Sequence, residues 1–275
     1  MSTIYHYCGI NAFFNIIRNK KLWVSAANNL NDYKEVDWFI DKARNKLSQA
    51  VRPENQDYLN EFWLHRSVNS PMPYICSFSK NGDLLSQWRA YADDGSGLAI
   101  GFNREYFGFD SKMPTPNVSS KQSVGLADVI YDEKYQDRIV DTLVGTVGTP
   151  TESDDEKYNR FANAAVLINQ FSYICKNSAF KEEDEVRIVH TPVIFGNDNG
   201  GTRVLGGISD LQHRVSGEYI TSYFELDFAE DRAAEALVEV ILGPKCKISR
   251  FDIETFLSVS GFGQVKYKMS NASYR

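Results

Sequence analysis

The stretch YICSFSKNGDLLSQWRAYADDGSGLAIGF, Tyr74–Phe102, constrains the fold more than any other part of the sequence. Tyr74–Ser79 has the composition of a strand, and the polar pair Asn81-Gly82 after it predicts a turn. Asp83 is expected to cap a short helix, and Leu98–Phe102 returns as a second strand. The segment therefore predicts a strand–helix–strand unit. Its Ser, Trp, Arg and Tyr side chains suggest that part of a site lies here.

Strand and helix patterns alternate through the rest of the chain in a way that predicts an α+β fold. Helical spacing dominates two regions, at about 33–70 and 133–178, whereas the C-terminal part is rich in strands. Asp32 followed by Glu35 predicts a capping box at the start of the first region. Glu185–Phe195 is expected to form one strand. We predict a single α+β domain over residues 1–275, with these two helical regions inserted between strands.

Composition limits the partners and the compartment. The chain has 275 residues, 43% of them apolar, a formal net charge of −6 and a pI of about 5.3. This acidity argues against strong nonspecific binding to nucleic acid or to an anionic membrane. No apolar run approaches the roughly 20 residues that span a bilayer, and the N-terminus lacks the pattern of a signal peptide. We therefore expect a cytoplasmic protein with no membrane partner.

The four cysteines are scattered and contain no CxxC pair. Such spacing fits buried free thiols in a reducing cytoplasm, and it does not fit a zinc site. They are Cys8, Cys76, Cys175 and Cys246.

The first candidate site residues are polar side chains on two predicted strands. His6 is expected to face away from its neighbours Tyr5 and Tyr7, because side chains alternate along a strand. Its ring can orient a ligand, or it can be a half-buried histidine bonded to the backbone. Ser77 and Ser79 share one strand face. Their hydroxyls can hold a polar ligand or fix a carboxylate, or they can simply face solvent.

The predicted helix after Asp83 carries the second group of candidates. Leu84, Trp88 and Tyr91 fall on one face, which fits a core stripe for Leu84 and in part for Trp88. Gln87 and Arg89 are harder to explain by packing. An arginine can pair in bidentate fashion with a phosphate or a carboxylate.

The third group is the acidic segment FKEEDEVRIV. Strand alternation would place Glu183, Glu185 and Arg187 on one face. Paired carboxylates can stabilise a developing cation or activate a nucleophile, but an acidic run is often only a solvated face. A hydrolase that binds a metal through Glu183 and Glu185 ranks last, because the chain lacks a compact set of metal ligands. We expect no metal.

Together these segments resemble a known family. The segments are YHYCGINAFFNIIRNKKLWVS, LND with Glu35, CSFSKNGDLLSQWRAYADDGSGLAIGF, FKEEDEVRIV and ILGPK. They are similar to the bacterial domain-of-unknown-function family 2971, from Ile4 to about Lys245. The common family pattern places Trp before the Arg of the acidic segment, where this chain has Val186. A stacking role therefore does not carry over to that position, and the family itself has no established reaction.

The layout also resembles, more distantly, the ADP-ribosyltransferase superfamily. That superfamily has His or Arg on a first strand, Ser or Tyr on a middle strand and Glu on a later one. The matching positions here are His6, the Ser77-Phe78-Ser79 strand and Glu185. The resemblance implies a split, mostly antiparallel sheet that binds NAD as a substrate in a cleft between its halves.

The same resemblance implies a role for each candidate. His6 would hydrogen-bond the nicotinamide ribose, and Ser77 or Ser79 would orient that ribose or the glutamate. Glu185 would be the catalytic residue, stabilising the oxocarbenium-like centre. Two further cofactor-binding roles follow. Trp88 or Tyr91 would help to form the wall of the nicotinamide pocket, and Arg89 or Arg187 would contact the pyrophosphate.

Two functions are compatible with this resemblance. One is an NAD-consuming ADP-ribosyltransferase or NAD glycohydrolase, in a toxin or phage-defence role, with a protein or a nucleic acid as the macromolecular acceptor. The other is a noncatalytic nucleotide-binding or sensing module of the same fold. The transferase function requires His6, Ser77 or Ser79, and Glu185 to converge on one cleft.

Overall fold

A computed structural model describes residues 2–29, 35–110, 112–196, 200–229 and 233–272. The strands are, in chain order, β1 (Thr3–Cys8), β2 (Lys21–Ala26), β3 (Tyr74–Ser79), β4 (Leu98–Asn103), β5 (Val124–Asp128), β6 (Glu185–His190), β7 (Val193–Gly196), β8 (Thr202–Leu205), β9 (Gln212–Ser216), β10 (Tyr219–Asp227), β11 (Leu237–Leu242) and β12 (Lys266–Met269). The helices are α1 (Ile10–Asn19), α2 (Glu35–Ala50), α3 (Gln56–Val68), α4 (Leu85–Tyr91), α5 (Glu133–Val147), α6 (Asp154–Ser172), α7 (Ala233–Ala236) and α8 (Arg250–Val259).

Ten of these strands form one sheet, which confirms the predicted α+β class with a mostly antiparallel sheet. Eight strands follow the order β12-β11-β4-β1-β3-β2-β10-β9, while β6 pairs with β3 and β5 pairs with β6. Only β11 and β12 pair in parallel among the described strands of this sheet. A separate hairpin joins β7 to β8.

The sheet divides at β3, and this division positions the candidate site. One edge of β3 pairs with β6 along its whole length. The opposite edge is shared, because β1 pairs only at Tyr5↔Ser79 and β2 only at Ser25↔Ile75 and Ala26↔Tyr74. Strands β1 and β2 thus pair with opposite ends of this edge of β3. The part of the edge at residues 76–78 pairs with neither strand.

Two apolar clusters hold the fold together. The larger one fills one side of the sheet and includes Phe78, Phe102 and Phe224. The second joins α2, α3, α5 and α6 through buried side chains such as Phe62 and Ile168. These four helices occupy the regions predicted at about 33–70 and 133–178. Their description as insertions into a single domain stays a prediction.

Three local expectations differ from the structure or fall outside it. Asp83 does not cap α4, because its carboxylate accepts hydrogen bonds from Trp88 Nε1, the Ser270 hydroxyl and the Asn271 amide. The strand predicted over residues 185–195 is two strands, β6 and β7, with Pro192 between them, and proline lacks the N–H that a ladder needs. Asp32 of the predicted capping box lies outside the described residues.

Candidate functional site

A cleft of about 720 Å³ opens where β1 and β2 part from β3. That volume lies within the usual range of roughly 300–1,000 Å³ for small-molecule sites. One wall comes from β1 and α4, the other comes from β2, β10 and β9, and α1 also contributes lining residues. The floor is the middle of β3, and the segment leading into β6 closes one end. His6, Ser77 and Glu185 all line this cleft, so the structure brings together three of the residues predicted for the site.

His6 is held in one orientation by the backbone of β3. Its Nδ1 lies 3.0 Å from the Ser77 carbonyl oxygen, which can only accept, so Nδ1 carries the proton. Burial lowers the pKa of His6, and the bond to Ser77 opposes this only in part. The ring is therefore neutral at pH 7 and keeps Nε2 as an acceptor. A neutral, oriented imidazole suits a hydroxyl donor such as a sugar.

Glu185 is a buried carboxylate with a full set of partners. Arg187 donates from Nε to Oε1 at 2.7 Å and from Nη2 to Oε2 at 2.8 Å. Lys176 Nζ lies 3.4 Å from Oε2, and the Ser77 hydroxyl donates to the same carboxylate. Only 8% of the Glu185 side chain and 1% of the Arg187 side chain are exposed.

The charge state of Glu185 follows from these partners. Burial would raise the pKa of the Glu185 carboxyl, but the charges of Arg187 and Lys176 and the hydrogen bonds from Arg187 and Ser77 lower it to about 2. The carboxylate is therefore ionised across the physiological range. An ionised carboxylate fixed at the cleft can stabilise a cation that develops beside it.

Glu183 also lines the cleft, but from a different element than predicted. It ends a 3-10 turn at Ser178–Glu183, and β6 begins only at Glu185. Asp184 between them has a left-handed φ of 41°, which turns the chain and breaks the strand alternation. The expectation that Glu183, Glu185 and Arg187 share one strand face is thus wrong for Glu183. Its carboxylate still reaches the same cation, 2.5 Å from Lys176 Nζ.

The residues predicted on α4 separate into two groups. Gln87 and Tyr91 line the cleft, with Tyr91 39% exposed. Trp88 is fully buried and packs edge-on against Tyr7, so it belongs to the core. Arg89 is exposed and is not among the residues that line the cleft.

Two other predicted ligand contacts lie behind the cleft. The Ser79 hydroxyl donates to the Glu183 carbonyl at 2.7 Å and accepts from the Asn81 amide, so it fixes the backbone. Arg187 also donates to the Tyr173 carbonyl at 2.8 Å. The buried Arg187 guanidinium therefore holds Glu185, and the structure does not place it for a pyrophosphate.

Several residues that line the cleft were not predicted from the sequence, among them Lys176, Phe180, Trp23 and Arg214. Lys176 follows the apolar run Tyr173–Cys175, and a lysine there signals a buried charge that needs partners. Trp23 shares a strand face with Lys21 and Ser25, so the face of Trp23 could be predicted from the sequence. Arg214 had no such signal.

No group of three or more His, Cys, Asp or Glu side chains is arranged to hold a metal ion within the described ranges. The cysteines are all free thiols. In the part of the chain that the structure describes, no helix is both long enough and apolar enough to cross a membrane.

Comparison with known proteins adds one finding. The model of the family described as Protein of unknown function (DUF2971) matches residues 87–188, which run from α4 into β6. The match confirms, over those residues, the family resemblance predicted from the sequence. No curated protein and no solved structure matches the chain. Lys176, Glu183 and Glu185 lie within the matched range, whereas His6 and Ser77 precede it.

Proposed function

We propose that this protein is an NAD-consuming enzyme of the ADP-ribosyltransferase type, which transfers ADP-ribose to a macromolecule or hydrolyses NAD. One observation carries the proposal. His6, Ser77 and Glu185 come from three different strands and line a single cleft where the sheet divides. Their order along the chain, a histidine on β1, a serine on β3 and a glutamate on β6, is the order that the superfamily resemblance implies.

In this proposal the nicotinamide ribose lies between His6 and Glu185. His6 accepts a hydrogen bond from a ribose hydroxyl through Nε2, and Ser77 orients the Glu185 carboxylate. The bond between the ribose carbon and the nicotinamide nitrogen breaks, and nicotinamide leaves with the electron pair. Glu185 stabilises the resulting oxocarbenium ion. A nucleophile, either water or a group on the acceptor, then bonds to that carbon and loses its proton. Tyr91 contributes to the wall of the cleft.

The resting contacts of Glu185 indicate what must move when a ligand binds. A carboxylate offers about four acceptor positions, and Arg187, Lys176 and Ser77 together supply four contacts. The Lys176 contact, at 3.4 Å, is longer than both Arg187 contacts, and Lys176 also makes a 2.5 Å bond to Glu183. We infer that a ribose hydroxyl replaces Lys176 at Glu185 while Arg187 stays in place.

The same contacts favour a second candidate, a noncatalytic nucleotide-binding or sensing module. A glutamate engaged by both donors of a buried arginine is held as a structural ion pair. If no ligand contacts Glu185 while it is paired with Arg187, the cleft binds nucleotide without turnover. The two candidates share the site and differ in whether Glu185 contacts the ribose.

Nicotinamide release decides between them. Purified protein is incubated with NAD, and released nicotinamide is measured by chromatography for the wild type, Glu185→Gln and the control Glu254→Gln. Glu254 pairs with Arg250 on the surface of α8, away from the cleft. We expect release by the wild type and the control, and its loss in Glu185→Gln. Saturable NAD binding without release supports the module, and neither binding nor release refutes both.

The acceptor and the compartment are part of the same proposal. A macromolecular acceptor would approach the open side of the cleft, and label transfer from NAD to protein, DNA or RNA in a lysate would identify its class. Free thiols throughout the chain suit a reducing cytoplasm. A role in phage defence or as a toxin would appear as NAD depletion or growth arrest on expression, absent in Glu185→Gln.

A further inference from the structure

One wall of the cleft is an aromatic and cationic face that the proposed chemistry does not use. Strand pairing places Ser25 beside Tyr223, Trp23 beside Glu225, and Thr221 beside Arg214, so alternate residues of β2, β10 and β9 share one face. We name this face the Trp23 wall. Its members that line the cleft include Lys21, Trp23, Ser25, Arg214, Thr221 and Glu225.

The Trp23 ring contacts the Arg214 guanidinium and the Tyr223 ring, which is tilted by 42° to it. The guanidinium carbon of Arg214 lies 4.9 Å from the centre of the Trp23 ring, and the Tyr223 ring centre lies 4.9 Å from the same ring. Arg214 Nη2 donates to the Ser25 hydroxyl at 3.2 Å, which fixes the guanidinium. Trp23 remains 39% exposed despite these contacts. A fixed guanidinium on an exposed indole gives a flat surface on which a heteroaromatic ring can stack.

The Trp23 wall carries the charged side chains of Lys21, Glu225 and Arg214. Lys21 is paired with Glu225 at 2.5 Å, so these two charges cancel. The Nε of Arg214 is shielded from solvent and has no hydrogen-bond partner in the structure. Stacking leaves the plane of the guanidinium in place, whereas a bidentate phosphate contact would require its edge.

The wall lies at a distance from Glu185 that suits the second base of a dinucleotide. β2 and β6 flank β3, so they stand two strand spacings apart, about 10 Å. Trp23 is two residues from Ser25, which pairs with β3, and it lies where β2 diverges from β3. The separation between Trp23 and Glu185 is therefore on the order of 12 Å or more. A ligand that touches both must be elongated, with a flat ring at the Trp23 end.

We propose that the Trp23 wall binds the adenine base of NAD, stacked against the Arg214–Trp23 pair. The inference rests on the proposed function for the identity of the ligand, but the wall's affinity for an adenine nucleotide is testable without turnover. The other half of the ligand, the nicotinamide mononucleotide, then occupies the end of the cleft with His6 and Glu185.

Binding of the two halves of NAD tests this assignment. Dissociation constants are measured by calorimetry for ADP and for nicotinamide mononucleotide, with the wild type, Trp23→Leu and Arg214→Ala. The control is Arg44→Ala, because the Arg44 guanidinium also lies over a tryptophan, Trp63, at 5.0 Å, in the helical layer and outside the cleft lining. Thermal melts of each variant check that the fold is kept.

We expect ADP to bind about 5-fold to 100-fold more weakly to Trp23→Leu and to Arg214→Ala, the range that base stacking contributes. Nicotinamide mononucleotide should bind all variants equally, and Arg44→Ala should bind ADP as the wild type does. The inference is overturned if folded variants bind ADP unchanged, if both halves weaken together, or if the wild type does not bind ADP.

These outcomes are separable from those of the proposed function. ADP binding that depends on Trp23 and Arg214, in a protein that releases no nicotinamide, keeps the base site and refutes the enzyme. If the protein releases nicotinamide but its ADP affinity is unchanged in Trp23→Leu and Arg214→Ala, the proposed enzyme activity is supported and the base site is refuted.

Discussion

Replacing Arg187 with methionine removes both donors that hold the Glu185 carboxylate. The guanidinium is 1% exposed and the carboxylate 8% exposed, so water cannot take the place of the lost partner without disturbing the core. The variant retains Lys176 at 3.4 Å and the Ser77 hydroxyl. We therefore expect a folded but strongly destabilised protein.

The magnitude follows from the buried pair. Leaving one partner of a buried ion pair uncompensated costs about 3–5 kcal/mol. In the wild type, Glu185 has a pKa of about 2 against an ordinary 4.5, which corresponds to about 3 kcal/mol of folding free energy. Because the folded pKa is depressed, this stabilisation is present above about pH 4.5 and is lost as the pH falls towards 2.

In Arg187→Met we expect the pKa of Glu185 to be shifted in the opposite direction. Burial then outweighs the remaining partners and raises the pKa of Glu185, so protonation relieves the variant. Its deficit should be largest at neutral pH and should shrink on acidification to pH 4.

Urea unfolding followed by circular dichroism, at pH 7.5 and at pH 4, measures both effects. The matched control is Arg104→Met, because Arg104 makes a bidentate pair with Asp128 at 2.9 and 2.5 Å that is 25% and 46% exposed. An exposed pair contributes at most about 1 kcal/mol. The account of Glu185 is refuted if Arg187→Met loses no more than this control, or if its deficit is the same at both pH values.

Three further predictions concern the cleft and the core. Gln87→Ala should weaken NAD binding measured by calorimetry, whereas Arg89→Ala, outside the cleft lining, should leave the dissociation constant unchanged; the reverse result would relocate the cleft. Trp88→Phe loses the 2.8 Å bond from Nε1 to the Asp83 carboxylate and should lower the free energy of unfolding by about 1–3 kcal/mol, with NAD affinity retained once folded. In thiol titration of the native protein Cys246 should react first, because the other three cysteines are buried and burial raises their thiol pKa more strongly; equal rates would contradict this.

Much of the fold could be predicted from the sequence because the patterns that indicate its elements are local. The composition of Tyr74–Ser79 and the turn at Asn81-Gly82 each predict local structure from neighbouring residues alone. The opposed faces of His6 and its tyrosine neighbours follow from strand geometry. What no local pattern contains is that β1 and β2 share one edge of β3, and this sharing creates the cleft.

Part of the candidate site could be predicted from the sequence for the same reason. His6, Ser77 and Glu185 stand on strands, so their faces could be predicted, although their convergence depends on long-range pairing. Arg187 was predicted beside Glu185, but its burial depends on α6 and the segment after it. Lys176 joins the site from that segment, which is far from His6 and Ser77 in sequence and close in space.

The central claim is that the nicotinamide ribose binds between His6 and Glu185. A crystal structure of the protein with a non-hydrolysable NAD analogue tests it most directly. We predict ribose hydroxyls within hydrogen-bond distance of His6 Nε2 and the Glu185 carboxylate, with Lys176 moved from Glu185 and Arg187 in place. An analogue bound outside this cleft, or bound within it with Glu185 still closed off by Lys176 and Arg187, would contradict the claim.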